Sequence, residues 1–272
     1  TQTFSSGYDF IDYCLGGGFS AKCLYVFLGQ PKVGKTLWMG NIACQAIRAS
    51  NNVAVITLEL NDRKYIKRLG ANLLGIKMSE YKKAAEDSEL IKKKIKNLAF
   101  DNLALPGKLF IKEFGTSNAS VIDIENWLIK TEQIKGVKFK IVIIDYINIL
   151  KNWRNPNSEN TYMKIKQIAE DLRAMAQRNG WALVTATQTK QSEFDATDLS
   201  MNSASESSGL VATVDGMFGI IQDPLMYSNN EYKLKVLANR DEGYKNAYKK
   251  FLVDYSYMRI WEDPNSEIMT EQ

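Results

Sequence analysis

Histidine is absent from the 272 residues. That removes His-based metal sites, imidazole general bases and Ser-His or Cys-His nucleophile pairs in one step. Any catalytic proton acceptor must then be a carboxylate or a less common group. Cysteine is scarce, and Cys14, Cys23 and Cys44 have neither zinc-ligand spacing nor a CxxC pattern. Three is an odd number, so they read as reduced thiols of a cytosolic protein. No apolar run reaches about 18 residues, so no membrane-spanning helix is expected. The start lacks a signal-peptide pattern. It is Thr1 rather than Met, which fits a piece of a longer protein. A strong charge of one sign is also missing: a net +4 permits an acidic partner without demanding one. Low-complexity linkers and internal repeats are not found.

What is present alternates short apolar strands with amphipathic helices, the pattern of an α/β domain around a largely parallel sheet. The spacing predicts strands over 23–28, 53–58, 109–112, 140–144 and 181–187. Helices are expected over 36–49, 63–74, 79–98 and 121–131. Another helix follows residue 160, with Ile165, Ile168, Leu172 and Met175 on one face and Gly180 as its C-terminal cap. Residues 188–209 form a long polar stretch. Later strands over 216–221, 232–238 and 248–255 are expected to be antiparallel at one edge, and the residues after Trp261 to be frayed. The run Lys92-Lys93-Lys94 shares its helix with Glu86, Asp87 and Glu89 and reads as a solvated face.

The chemistry begins at Gly29-Gln30-Pro31-Lys32-Val33-Gly34-Lys35-Thr36, which matches G-x4-G-K-[ST] in full. Glycine lets successive backbone N–H groups converge on phosphates. The helix that follows points its positive end at them. Lys35 is expected to reach the β- and γ-phosphates, and the Thr36 hydroxyl to ligate Mg²⁺. The nucleotide-binding set runs from Gly29 to Leu37. Asp145 ends the run Ile141-Val142-Ile143-Ile144, the Walker B form, where a carboxylate holds a Mg²⁺-bound water. Glu59 ends the strand after the P-loop helix and is the candidate base for water. Gln188 ends the strand after Walker B, where a neutral amide can sense the γ-phosphate.

Glu59, Asp145 and Gln188 follow successive strands in the RecA-type order. With that order the sequence resembles the DnaB-like replicative DNA helicases, in particular the T4-type phage branch. The resemblance covers nearly the whole chain. It includes Phe4-Ser5-Ser6-Gly7-Tyr8-Asp9-Phe10-Ile11-Asp12 and Leu15-Gly16-Gly17-Gly18 as the lead-in. Thr57-Leu58-Glu59-Leu60, Ile144-Asp145-Tyr146-Ile147-Asn148 and Thr187-Gln188-Thr189 resemble the catalytic, Walker B and sensor segments. Ser205-Glu206-Ser207-Ser208-Gly209 with Val214-Asp215 resembles the DNA-facing loop and the strand after it.

The resemblance implies a RecA-like P-loop NTPase core over 1–262, with a mostly parallel twisted sheet flanked by helices and a polar tail over 263–272. It implies ATP and Mg²⁺ as cofactors, a homohexamer, and single-stranded DNA in the central channel. It also implies a cytoplasmic location, the host's if the gene is a phage's. A neighbour's arginine completes each site, and Arg240 in Leu237-Ala238-Asn239-Arg240 stands where that finger is expected. Lys151, Arg154 and Lys190, with the backbone of Ser207, Ser208 and Gly209, are the implied DNA contacts. Family members carry an N-terminal domain, so primase or a helicase loader is a further implied partner. Two departures stand out. Ala238 replaces a lysine common two residues before the finger, leaving Lys235 or Lys245 as substitutes, and Ser205 replaces an arginine. A RecA/RadA-type recombinase or KaiC-type ATPase on the same fold, and a nucleotide-regulated loader or scaffold with weak hydrolysis, are the rival readings.

Overall fold

The computed structural model describes all residues except 1, 102–104, 117, 191, 193–196, 205–207, 241–242 and 272, with the side chains of 100, 101 and 208 likewise outside the description. Short strands β1 (Thr3–Phe4) and β2 (Phe19–Ser20) pair around α1 (Asp9–Cys14). Then come β3 (Leu24–Gly29), α2 (Lys35–Arg48), β4 (Val53–Thr57), α3 (Asp62–Leu74), α4 (Tyr81–Glu86), α5 (Ser88–Asp101), β5 (Leu109–Glu113) and α6 (Val121–Lys135). The second half carries β6 (Ile141–Asp145), α7 (Thr161–Asn179), β7 (Ala182–Gln188), α8 (Ser208–Thr213), β8 (Gly216–Ile221) and α9 (Pro224–Ser228). It ends with β9 (Glu231–Asn239), β10 (Ala247–Asp254), β11 (Arg259–Glu262) and β12 (Met269–Thr270).

The main sheet has the order β11-β10-β9-β8-β3-β7-β6-β4-β5, with β12 added to β10. From β8 to β5 every pairing is parallel; β8 to β11 pair antiparallel. The central strands are apolar throughout because both faces are covered. Along β3, Tyr25 and Phe27 enter one core with Trp38 and Ile42 of α2. Leu24, Val26 and Leu28 enter the other with Leu128 of α6 and Leu172 of α7. Glycine ends α7 as the sequence suggests: Gly180 takes φ 78° and its N–H donates to the Ala176 carbonyl.

Three expectations are corrected. The helix expected over 79–98 is two helices, because Asp87 is extended and its Oδ1 accepts from the N–H groups of Glu89 and Leu90, starting α5 anew. The strand at 216–221 is no edge strand. It lies beside β3 and parallel to it, and only its other side is antiparallel. The described residues after Trp261 are not frayed. Met269–Thr270 pairs with β10, and Glu271 forms ion pairs with Lys233 and Lys235. No helix among the described residues is long and apolar enough to cross a membrane.

Candidate active site

Parallel strands deliver their chemistry at their C-terminal ends. Thr57, just before Glu59, is the register partner of Asp145, and Gly29 is that of Gln188. Four neighbouring strand ends therefore converge on a cleft of about 340 Å³, walled by Lys35, Thr36, Glu59, Arg68, Tyr146 and Gln188.

The P-loop backbone is bent where the sequence places glycine. Gly34 has φ 105°, a conformation that L side chains rarely adopt. A Cβ there would also stand 2.6 Å from the Tyr232 hydroxyl. That hydroxyl donates to the Val33 carbonyl at 2.8 Å, so β9 braces the loop from beneath. Lys35 is buried and donates to the carbonyls of Gly29 at 3.4 Å and Gln30 at 2.9 Å. Burial pushes its pKa down to about 8, against the pull of Asp145 and Glu59. A phosphate beside the ammonium would restore the missing anionic partner.

Asp145 is buried at the end of β6, and burial pushes its pKa up to about 6. The hydroxyls of Thr36 and Tyr65 pull the other way, and Glu59 adds to the rise. Tyr65 stands close enough to act on this charge, yet neither its hydroxyl nor Asp145 Oδ1 completes a hydrogen bond among the described residues. An orphaned carboxylate oxygen facing a threonine hydroxyl fits a hydrated Mg²⁺. Glu59 is exposed in the cleft, open to water. Gln188 Nε2 donates to the Tyr146 hydroxyl at 3.1 Å, and Lys35 lies 5.8 Å from the centre of the same ring.

The folded value of Asp145 lies above its ordinary 3.8. Its contribution to stability is thus complete below pH about 4 and is lost as pH rises through about 6. The loss is on the order of 3 kcal/mol in the nucleotide-free protein. Urea unfolding between pH 4.5 and 7 should show that decline, and Asp145→Asn should flatten it; an identical slope in the variant would remove Asp145 as its source.

Other expected residues are scattered more widely. Lys151 is exposed in the loop after β6. Arg154 is exposed but ion-paired with Glu170 and Asp171 of α7. Lys190 N–H donates to the Ser203 carbonyl. Ser207 lies outside the described residues. Ser208 opens α8, and Gly209 is buried against the Lys166 side chain. Arg240 follows β9, away from its own P-loop cleft. Its Nη1 lies 3.4 Å from Asp215 and its Nη2 donates to the Ala212 carbonyl at 2.6 Å. Lys235 is buried between Asp198 and Glu271, so it is not available in place of the lysine missing at Ala238; Lys245 is exposed.

Sequence reasoning missed Arg68, Tyr146 and Tyr232. Tyr146 could have been found as the neighbour of Asp145. Arg68 and Tyr232 carry no local signal, because only the packing of α3 and β9 brings them to the loop.

The family model described as the DnaB-like helicase C terminal domain matches residues 3–237. The DnaB-like replicative helicase of Enterobacteria phage T4 is 29% identical over 87% of this chain and 50% of its own length. A replicative DNA helicase DnaB of Helicobacter pylori is 22% identical over 85% of this chain and 45% of its own. The chain thus spans about half the length of the curated relatives it matches. Among solved structures, the ATPase domain of G40P superposes with a TM-score of 0.78 at 21% identity, covering 96% of this chain and 91% of that one. A DnaB-like replicative helicase studied for its interactions with primase gives 0.77 at 21% identity, covering 96% and 62%. At such identity these two speak for the fold.

Proposed function

The chain belongs to the family of DnaB-like helicase C-terminal domains, and on that footing we propose that it hydrolyses ATP to move along single-stranded DNA. The observation that carries this reading is the convergence of Lys35, Thr36, Glu59, Tyr146 and Gln188 on one cleft, with buried Asp145 behind Thr36. In the proposed reaction Lys35 and the P-loop N–H groups hold the β- and γ-phosphates. Thr36, with Asp145 through water, would hold a Mg²⁺, which would supply positive charge to the phosphate oxygens. Glu59 accepts a proton from the attacking water as the bond between phosphorus and the ADP oxygen breaks. Gln188, through Tyr146, senses the γ-phosphate at the head of the polar stretch that follows β7. Arg240 serves the site of a neighbouring copy, in a homohexamer that encloses the strand. Lys151 and Lys190 would contact DNA phosphates without reading sequence. In the whole protein, in the cytoplasm, primase or a loader would be a partner.

The test is ATP turnover with and without single-stranded DNA, alongside a mass measurement. A hexamer whose turnover rises with DNA supports the reading. Tight ATP binding with turnover near zero in both conditions would replace it with a nucleotide-regulated loader.

A further inference from the structure

At the far end of α2, about 20 Å along the helix from the P-loop, two guanidinium groups meet. Arg48 closes α2 and Arg259 opens β11. Arg48 Nη2 donates to the Asn72 carbonyl at 2.9 Å, and Arg259 Nε and Nη2 donate to the same oxygen at 2.9 and 2.7 Å. A carbonyl oxygen offers two lone pairs, so three N–H groups crowd one neutral acceptor. Arg48 Nη1 reaches Gln45 Oε1 and Asn72 Oδ1, both neutral as well. Among the described residues no carboxylate oxygen lies within 4.0 Å of either guanidinium.

Capping explains part of this arrangement. Asn72 belongs to the last turn of α3, where the helix end carries roughly half a negative charge. Two whole positive charges stand against it. Arg259 is half-buried, and burial, with Arg48 beside it, presses its pKa down, while Asp254 and Tyr257 pull it up. Partly desolvated like charges without an anion are costly, and a bound anion would offset that cost.

The space for one is there. The pair lies on the wall of a cleft of about 530 Å³, a size that suits a nucleotide-scale ligand. Tyr257 and Trp261 line it too, and the indole is 41% exposed. Asp254 is the one carboxylate lining the cleft, and its Oδ1 is engaged by the Ser256 N–H at 2.8 Å. A second hollow of about 250 Å³, also lined by both arginines, adds Lys94. Arg48 Nε and Arg259 Nη1 donate to nothing among the described residues. Planar guanidinium forks match a phosphate with two parallel bonds.

We propose that this cleft binds a phosphate group, free or carried by a nucleotide, at a site separate from the P-loop. Arg48 and Arg259 take the phosphate. In the nucleotide case Trp261 offers a face on which a base can stack, while the Tyr257 ring carries the Arg259 guanidinium 5.8 Å from its centre.

The test uses the whole chain labelled with 5-fluorotryptophan. Five tryptophans give five fluorine signals, and Trp261→Phe assigns the one in the cleft. Trp38, in the first turns of the P-loop helix, reports the other site. Sodium phosphate and ADP are titrated separately. The Trp261 signal should move saturably with at least one of them, and Arg259→Gln should weaken that response about 10-fold or more while the Trp38 response persists. Movement with phosphate alone assigns the site to the phosphate group; movement with ADP only adds a base contact. A Trp261 signal still at millimolar ligand in the unmutated chain overturns the proposal, and that result depends on no variant's folding. So does a response that Arg259→Gln and Arg48→Gln, both shown to fold, leave unchanged.

Discussion

Glu59→Gln should slow single-turnover ATP hydrolysis about 10²–10⁴-fold and leave ATP bound. Glutamine keeps the size of the side chain and can still orient water, but it cannot take the proton. The groups proposed to hold the nucleotide are elsewhere: Lys35 on its own helix, and Asp145 behind Thr36. Glu59 is exposed and caps nothing, so the change should cost stability no more than about 0.5 kcal/mol. It also removes a negative charge that helps hold the Asp145 pKa up, which favours the ionised carboxylate that a Mg²⁺ there would need. Quenched-flow turnover and nucleotide binding on the same preparation check both halves. Undiminished turnover would take Glu59 out of its role and leave the chain without its candidate base.

The site was legible in the sequence to the extent that it is local. Gly34, Lys35 and Thr36 are contiguous, and their backbone geometry is dictated by glycine and a helix start. Asp145 and Glu59 were legible as candidates because Asp145 ends a buried strand and Glu59 follows one by two residues, and parallel strands in register bring such ends together. The parallel arrangement itself was readable from apolar runs too continuous for a sheet with one wet face.

What sequence did not show depends on long-range packing. Tyr232 lies 199 positions from the Val33 carbonyl it braces. Strand 216–221 is apolar throughout, unlike the lysine-bearing strands 231–239 and 247–254 with which it was grouped; its place beside β3 makes it parallel on one side. The tail after Trp261 is polar, which suggests solvent. Its Glu271 instead answers two lysines on β9 whose need for carboxylates has no local trace. Ala238 was visible as a missing lysine, but Lys235 as a substitute looked equal to Lys245 until its ion pairs were seen.

The second large effect is expected at Arg240. If it stabilises charge in a neighbour's site, Arg240→Ala should lower turnover about 10³–10⁵-fold with little change in nucleotide affinity. Its present contacts make that role testable in a specific way. The guanidinium is tied within its own chain to Asp215 and to the Ala212 carbonyl of α8. Asp215 is itself held by two bonds from Arg173 and accepts from the Leu24 N–H, so it stays put when Arg240 leaves. The loss of one long ion pair, made by a partly exposed guanidinium, and of the bond to the Ala212 carbonyl should cost about 1 kcal/mol. Inactivation without unfolding therefore points to chemistry. Mixing supplies the decisive arm. Arg240→Ala subunits keep an intact P-loop, and Lys35→Ala subunits keep an intact arginine. A mixed ring should contain interfaces where the good P-loop meets the good arginine, and turnover should return although each variant alone is inactive. Activity that stays absent on mixing, with both variants shown to co-assemble, would mean that Arg240 acts within its own chain through Asp215 and α8.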